Sequence, residues 1–295
     1  MARHVVQYAS AGRNSTIIQA AGSITFGTLQ VGGTGMFGRK KTNDSLTVLK
    51  SVKLKDQSGF QKVELSKSHV SLVKTQEAAK VSLSKKGLEG KKFAVGIIVD
   101  NSGSMGSWGF DFYNKGYVQT LTEFALGYAF EVDTDGLIPV GVFGSGFQWA
   151  SDDLTQDNYR GFVASQGWNG NGGGTNTGGA LEKVQELFDH SEDPNLIIVV
   201  TDGGPNSKSH VIQQLELMSR KPYIVKWLIV GDDRDALAFG KHIDDNLAGL
   251  VDNVDTKNYT GRDLAKLTPE KFAQDMSDEL DTWTAAATAK GILTQ

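Results

Sequence analysis

Asp100, Ser102 and Ser104 place one carboxylate and two hydroxyls in a single short run, DNSGSM. These are hard oxygen donors, suited to Mg²⁺ or Mn²⁺ and not to zinc or copper. Thr175 stands just ahead of a helical pattern and can add a third hydroxyl, and Asp202 adds a second carboxylate. A donor set of this kind predicts an octahedral shell completed by water. Taken one at a time, the serines and the threonine read as turn and capping residues. Taken with the two aspartates, they read as a cation site.

The elements around these residues explain how they can meet. Phe93 to Val99 is an apolar run that ends on Asp100, and Leu196 to Thr201 is another that ends beside Asp202. Runs of that length bounded by polar turns read as buried strands of a parallel sheet, which puts both aspartates at one sheet edge. In open α/β sheets the carboxyl ends of the strands are where ligands bind. Further strands are expected at Ile138 to Phe143, Ile224 to Val230 and Leu250 to Val254, with Gln148-Trp149-Ala150 as a short edge strand. Helical faces are carried by Val118, Leu121, Ala125, Tyr128 and Ala129, by Ala180, Leu181, Val184 and Leu187, and by Val211, Leu215 and Met218. Pro269 to Thr284 reads as one closing helix. Strands alternating with helices give a doubly wound, mostly parallel α/β sheet flanked by helices, Rossmann-like in outline.

The motif residues carry a resemblance. DNSGSM is similar to the D-x-S-x-S signature of von Willebrand factor A domains, the metal-ion-dependent adhesion site. GGTNTGGAL, Gly173 to Leu181, resembles the family's threonine loop, and IIVVTDGGPN, Ile197 to Asn206, its second acidic strand end. VSLSKKGLEGKK, Val81 to Lys92, resembles the lead-in of the von Willebrand A proteins found in tellurium-resistance and stress-response gene clusters. Asn114 to Gln119, Asp133 to Gly136, Asp157 to Tyr159 and Trp283 to Ala287 extend that likeness over about residues 65–292. The resemblance implies direct coordination by Ser102, Ser104 and Thr175. It implies that Asp100 and Asp202 act through water or orient the ligands, and that Thr177 caps the following helix. A site with few direct carboxylates leaves the cation electrophilic, so the implied function is a divalent-cation-dependent protein-interaction module. Its partner would present an acidic residue to the metal. An enzyme is not expected: the five histidines are scattered and no GxSxG elbow occurs.

Charge divides the chain. Residues 1–92 carry 16 Lys/Arg against 5 Asp/Glu, and residues 93–295 carry 14 against 29, although the whole chain is only -4. The division suggests a basic, β-rich N-terminal extension, 1–92, ahead of a domain spanning 93–290. A solvated lysine-rich strand surface is favoured for the basic region. Docking on a larger particle or on nucleic acid is the alternative function. Within 46–86, segments alternating apolar residues with Ser and Lys read as strands, although Leu65 to Ala79 also fits a helix. Gly33 to Gly38 spells GxGxxG, but the basic residues after it open no apolar helix, and a flexible turn is expected there. No membrane partner is expected, since no apolar stretch approaches the roughly 20 residues of a spanning helix. The N-terminal MARHVVQYASAGRNS lacks a secretory apolar core and the chain has no Cys, so the expected compartment is the cytoplasm. Trp108, Phe110, Phe112 and Tyr113 follow the metal loop, either as core staples or as an aromatic rim for a partner.

Overall fold

The computed structural model describes residues 7–10, 16–19, 69–106 and 109–293, with the backbone alone at 7–10, 16–19 and 69–71. The strand segments expected between 46 and 68 and the turn at 33–38 lie outside the described residues. Met1–Leu54 and Lys55–Gln295 form two compact units. In the first, β1 (Gln7–Ser10) and β2 (Thr16–Gln19) pair as an antiparallel hairpin.

The second unit is built on a six-stranded sheet. Its strands are β3 (Ala94–Asp100), β4 (Val140–Phe143), β5 (Phe147–Trp149), β6 (Asn195–Thr201), β7 (Tyr223–Val230) and β8 (Val254–Tyr259). They lie in the order β5-β4-β3-β6-β7-β8, parallel throughout except for the antiparallel edge strand β5. The central strands β3, β6 and β7 are apolar on both faces because helices cover both. One layer gathers Val95, Ile97, Val99, Leu196, Ile198 and Leu228 with α2 (Tyr117–Val132), α8 (Pro269–Ser277) and α9 (Leu280–Ala289). The opposite layer packs Ile98, Ile197, Val199, Trp227 and Ile229 on α4 (Thr177–Phe188), α5 (Lys208–Met218) and α6 (Arg234–Asp245). Two short helices, α3 (Phe162–Ser165) and α7 (Gly261–Leu264), lie in the connections, and the whole is the expected doubly wound fold. Among the described residues no helix is long and apolar enough to cross a membrane.

Three expectations about elements need correction or completion. Of the two readings open for 65–79 the helix is the one found, and it runs on through 81–85 in place of a strand: His69–Lys85 is a helix, α1. Leu72, Thr75, Ala79 and Leu83 are buried along one side of it, and it packs on α2 and α8. Gly127 of α2 permits that approach, since a Cβ there would lie 2.8 Å from Thr75 Cβ. The last strand is Val254–Tyr259 rather than Leu250 to Val254. As a sheet edge it carries Thr256, Lys257 and Asn258 partly or fully exposed, which hides it from an apolar-run criterion. The closing helix is two helices, α8 and α9. Between them Glu279 adopts the left-handed region at φ 57, which breaks the helix without Gly or Pro.

Behind that break lies a buried ion pair. Lys226 of β7 and Asp255 of β8 are register partners whose Nζ and Oδ2 are 2.5 Å apart. Lys226 Nζ also donates to the main-chain oxygen of Asp278. Lys257 bridges Asp255 at 2.6 Å and Asp278 at 2.8 Å. The edge of the sheet is thereby tied to the α8–α9 junction.

Candidate metal centre

Strand register brings the two acidic strand ends together. Val99 pairs with Val200, so Asp100 and Thr201 finish side by side on β3 and β6. The Thr201 hydroxyl donates to Asp100 Oδ2 at 2.7 Å, and the Ser102 backbone N–H donates to Asp100 Oδ1 at 2.7 Å. Tyr113 OH donates to the Asp100 carbonyl at 2.8 Å. The chain then makes one 3-10 turn, Gly103–Met105, which sets the two serine hydroxyls 3.1 Å apart. Ser104 Oγ donates to Asp202 Oδ1 at 2.8 Å. Asp100, Ser102, Ser104 and Asp202 thus form one connected polar group at the carboxyl edge of the sheet.

The loop before α4 carries Thr175 and meets this group through its backbone. Gly103 N–H donates to the Gly173 carbonyl at 3.1 Å, two residues before Thr175. The glycine-rich stretch before it is held by Asn101. The Asn101 side-chain oxygen accepts from the backbone of Gly170 at 2.7 Å, and its carbonyl accepts from Gly172 at 2.6 Å. The two loops touch backbone to backbone: a Cβ on Gly170 would lie 2.3 Å from Gly106 Cα, and Gly170 has φ +78. Only glycine meets both demands. Thr177 is not the cap expected of it. Asn176 caps α4, accepting from Gly179 N–H at 3.3 Å, while Thr177 is the first helical residue and its buried hydroxyl has no hydrogen-bond partner among the described residues. Asn176 wins because its Oδ1 reaches the N3 amide.

Electrostatically, the group suits a cation. Burial raises Asp100 above the usual carboxylate range, against the hydrogen bonds from Ser102 and Thr201. Asp202 is pushed up to about 7, first by desolvation and then by the charges of Asp100 and Asp233, with the Ser104 hydrogen bond opposing. Desolvation penalises the charged form. Among the described residues no Lys, Arg or His forms an ion pair with either aspartate. Two carboxylates withdrawn from water without a basic partner, beside hydroxyl oxygens, are what a hard divalent ion would neutralise. The residues present fit such an ion.

The aromatic residues after the loop divide. Phe112 and Tyr113 are buried and belong to the core, whereas Phe110 is 52% exposed and packs its ring 5.7 Å from that of Phe112. Trp108 lies outside the described residues. Asp233 caps α6 through Ala236 N–H at 2.8 Å, and Asp111 takes a left-handed φ of 57. A second acidic group went unnoticed in the sequence: carboxylate oxygens of Asp244, Asp255 and Glu279 lie within 4.8 Å of one another. Lys226 and Lys257 already neutralise its centre.

The chain is similar to known proteins over most of its second unit. Residues 92–293 match the family model described as vWA found in TerF C terminus. The Bacillus subtilis (strain 168) protein YcbR, described as uncharacterized, is 24% identical over 225 residues, covering 74% of this chain and 88% of YcbR. Among solved structures, a von Willebrand factor type A protein from Catenulispora acidiphila is 18% identical with a TM-score of 0.45, over 64% of this chain and 43% of that one. The match therefore spans less than half of the Catenulispora protein. Manganese-loaded TRAP protein of Plasmodium vivax is 17% identical with a TM-score of 0.42, over 61% of this chain and 74% of that one. The fold, the order of the three site loops and a family match across two thirds of its length place this chain in the von Willebrand factor A family, in the group found at the C terminus of TerF.

Proposed function

We propose that this chain is a divalent-cation-dependent protein-interaction module, with Ser102, Ser104 and Thr175 as direct ligands and Asp100 and Asp202 holding the ion's waters and their orientation. The observation that carries this reading is the connected group Asp100–Ser102–Ser104–Asp202, whose carboxylates are desolvated and face hydroxyls rather than basic side chains. Mg²⁺ or Mn²⁺ suits those donors. Bound there, the ion supplies a Lewis-acidic position that an Asp or Glu carboxylate of a partner protein can fill. Phe110, exposed next to the loop, is available to pack on that partner. The family group makes a tellurium-resistance or stress-response setting the biological reading. A non-enzymatic role is supported by Ser104, whose hydroxyl is engaged by Asp202 and Ser102 and not by a histidine.

The test is quantitative capture of proteins from a host lysate, in Mg²⁺ and in EDTA. Capture is expected to need the cation, to weaken in Thr175→Ala, and to weaken in Phe110→Ala with metal affinity unchanged. Capture that is equal in Mg²⁺ and EDTA, and equal in both variants, would make any bound metal purely structural.

A pH dependence follows from Asp202. In the folded chain this carboxyl keeps its proton up to about 7, whereas its ordinary value is 3.8. Ionising it between those values therefore costs the metal-free fold stability, and cation binding, which needs the carboxylate, competes with the proton. Mn²⁺ affinity is expected to fall by up to about tenfold per pH unit below 7 and to level off above it. Calorimetric titrations across that range check this, and Asp202→Asn should make the profile shallower, leaving the part due to Asp100, which burial also raises.

A further inference from the structure

Thr175 is the one proposed ligand that belongs to neither acidic strand end, and something must fix its loop. Asn206 does so twice. Its side-chain oxygen accepts the Thr175 N–H at 3.1 Å, and its own N–H donates to the Thr175 carbonyl at 2.9 Å. Both peptide groups of the threonine are thus held by one residue of the Asp202 loop. Asn206 is itself fixed from behind, because the next residue, Ser207, caps α5 through His210 N–H at 3.3 Å. The loop is shaped to admit the amide: a Cβ on Gly174 would lie 2.7 Å from Asn206 Nδ2.

We propose that Asn206 is a positioning residue for the cation site, which sets the place of the Thr175 hydroxyl relative to Ser102 and Ser104 by clamping the backbone of Thr175. The inference rests on the metal reading above. Residues that orient metal ligands typically change metal affinity by about 10- to 100-fold when removed. Asn206 is exposed, which favours the lower end and makes its replacement compatible with folding.

The full chain is titrated with Mn²⁺ by calorimetry, with the melting temperature of each metal-free variant measured beside it. Asn206→Ala is expected to bind Mn²⁺ about tenfold more weakly with little change in the metal-free melting temperature. Asn206→Asp keeps the acceptor for Thr175 N–H and should bind at least as well as the parent. Gly174→Ala, which pushes the loop off the amide, should weaken binding as Asn206→Ala does. In a Thr175→Ala background, Asn206→Ala should cause no further loss, because its effect runs through Thr175. Equal affinity of parent and Asn206→Ala, or full additivity with Thr175→Ala, overturns the inference while the metal site stands. A parent that takes up no Mn²⁺ overturns the metal reading and this inference with it.

Discussion

Asp100→Ala combined with Ser102→Ala is expected to abolish Mg²⁺ and Mn²⁺ binding and to leave the fold intact. The double variant removes a carboxylate and one of the two serine hydroxyls that meet at 3.1 Å. It also frees the turn from Gly103 to Met105, because the Ser102 N–H loses its acceptor. Losing the Asp100 acceptor leaves the Thr201 hydroxyl with the Gly203 carbonyl, to which it also donates at 3.2 Å. Opposing that cost, a carboxylate that burial holds above its ordinary range disappears, and Asp202 loses a repelling neighbour. The two effects offset, so the metal-free melting temperature should move little while the calorimetric signal vanishes. Unchanged affinity in this variant would sink the site.

Lys226→Ala is the substitution expected to cost most in stability. Lys226 is fully buried, and desolvation lowers its pKa against the attraction of Asp255. Removing one partner of a buried pair leaves the other uncompensated and typically costs about 3–5 kcal/mol. Here Lys257 still reaches Asp255, so the lower figure, about 3 kcal/mol, is expected. The α8–α9 junction should loosen as well, since the Asp278 carbonyl loses its donor. Lys226→Met with Asp255→Leu removes both charges and should fall within about 1 kcal/mol of the parent, because buried pairs often add little over apolar packing. Denaturant unfolding of the three proteins checks this. Equal stability of parent and Lys226→Ala would show that the pair holds nothing.

What the sequence revealed, and what it hid, follows from which interactions are local. The apolar runs of β3, β6 and β7 are legible because both faces are covered and every residue but Ala94 is buried. The same runs point Asp100 and Asp202 to one edge, so the fold and the site loops could be read together. β8 was misplaced because a sheet edge tolerates Thr256, Lys257 and Asn258, and because Asp255 is buried by pairing with Lys226, 29 residues away. The α8–α9 break carries no Gly or Pro, only Glu279 in a left-handed conformation. Residues 69–85 alternate in a way that fits both periods, and only packing on α2 and α8 selects the helix. Asn101 and Asn206 sit inside the recognised motifs, yet their hydrogen bonds reach loops 69 and 31 residues distant. No local pattern announces such contacts.

The most direct measurement is diffraction from Mn²⁺-soaked crystals of the full chain, recorded at the manganese absorption edge. One strong anomalous peak per chain is expected, at about 2.0–2.2 Å from Ser102 Oγ and Ser104 Oγ and within coordination reach of Thr175, as the range for small hard cations requires. Asp100 and Asp202 should lie behind it, joined to it through water. No peak among these residues, or a peak confined to Asp244, Asp255 and Glu279, would contradict the proposed metal site.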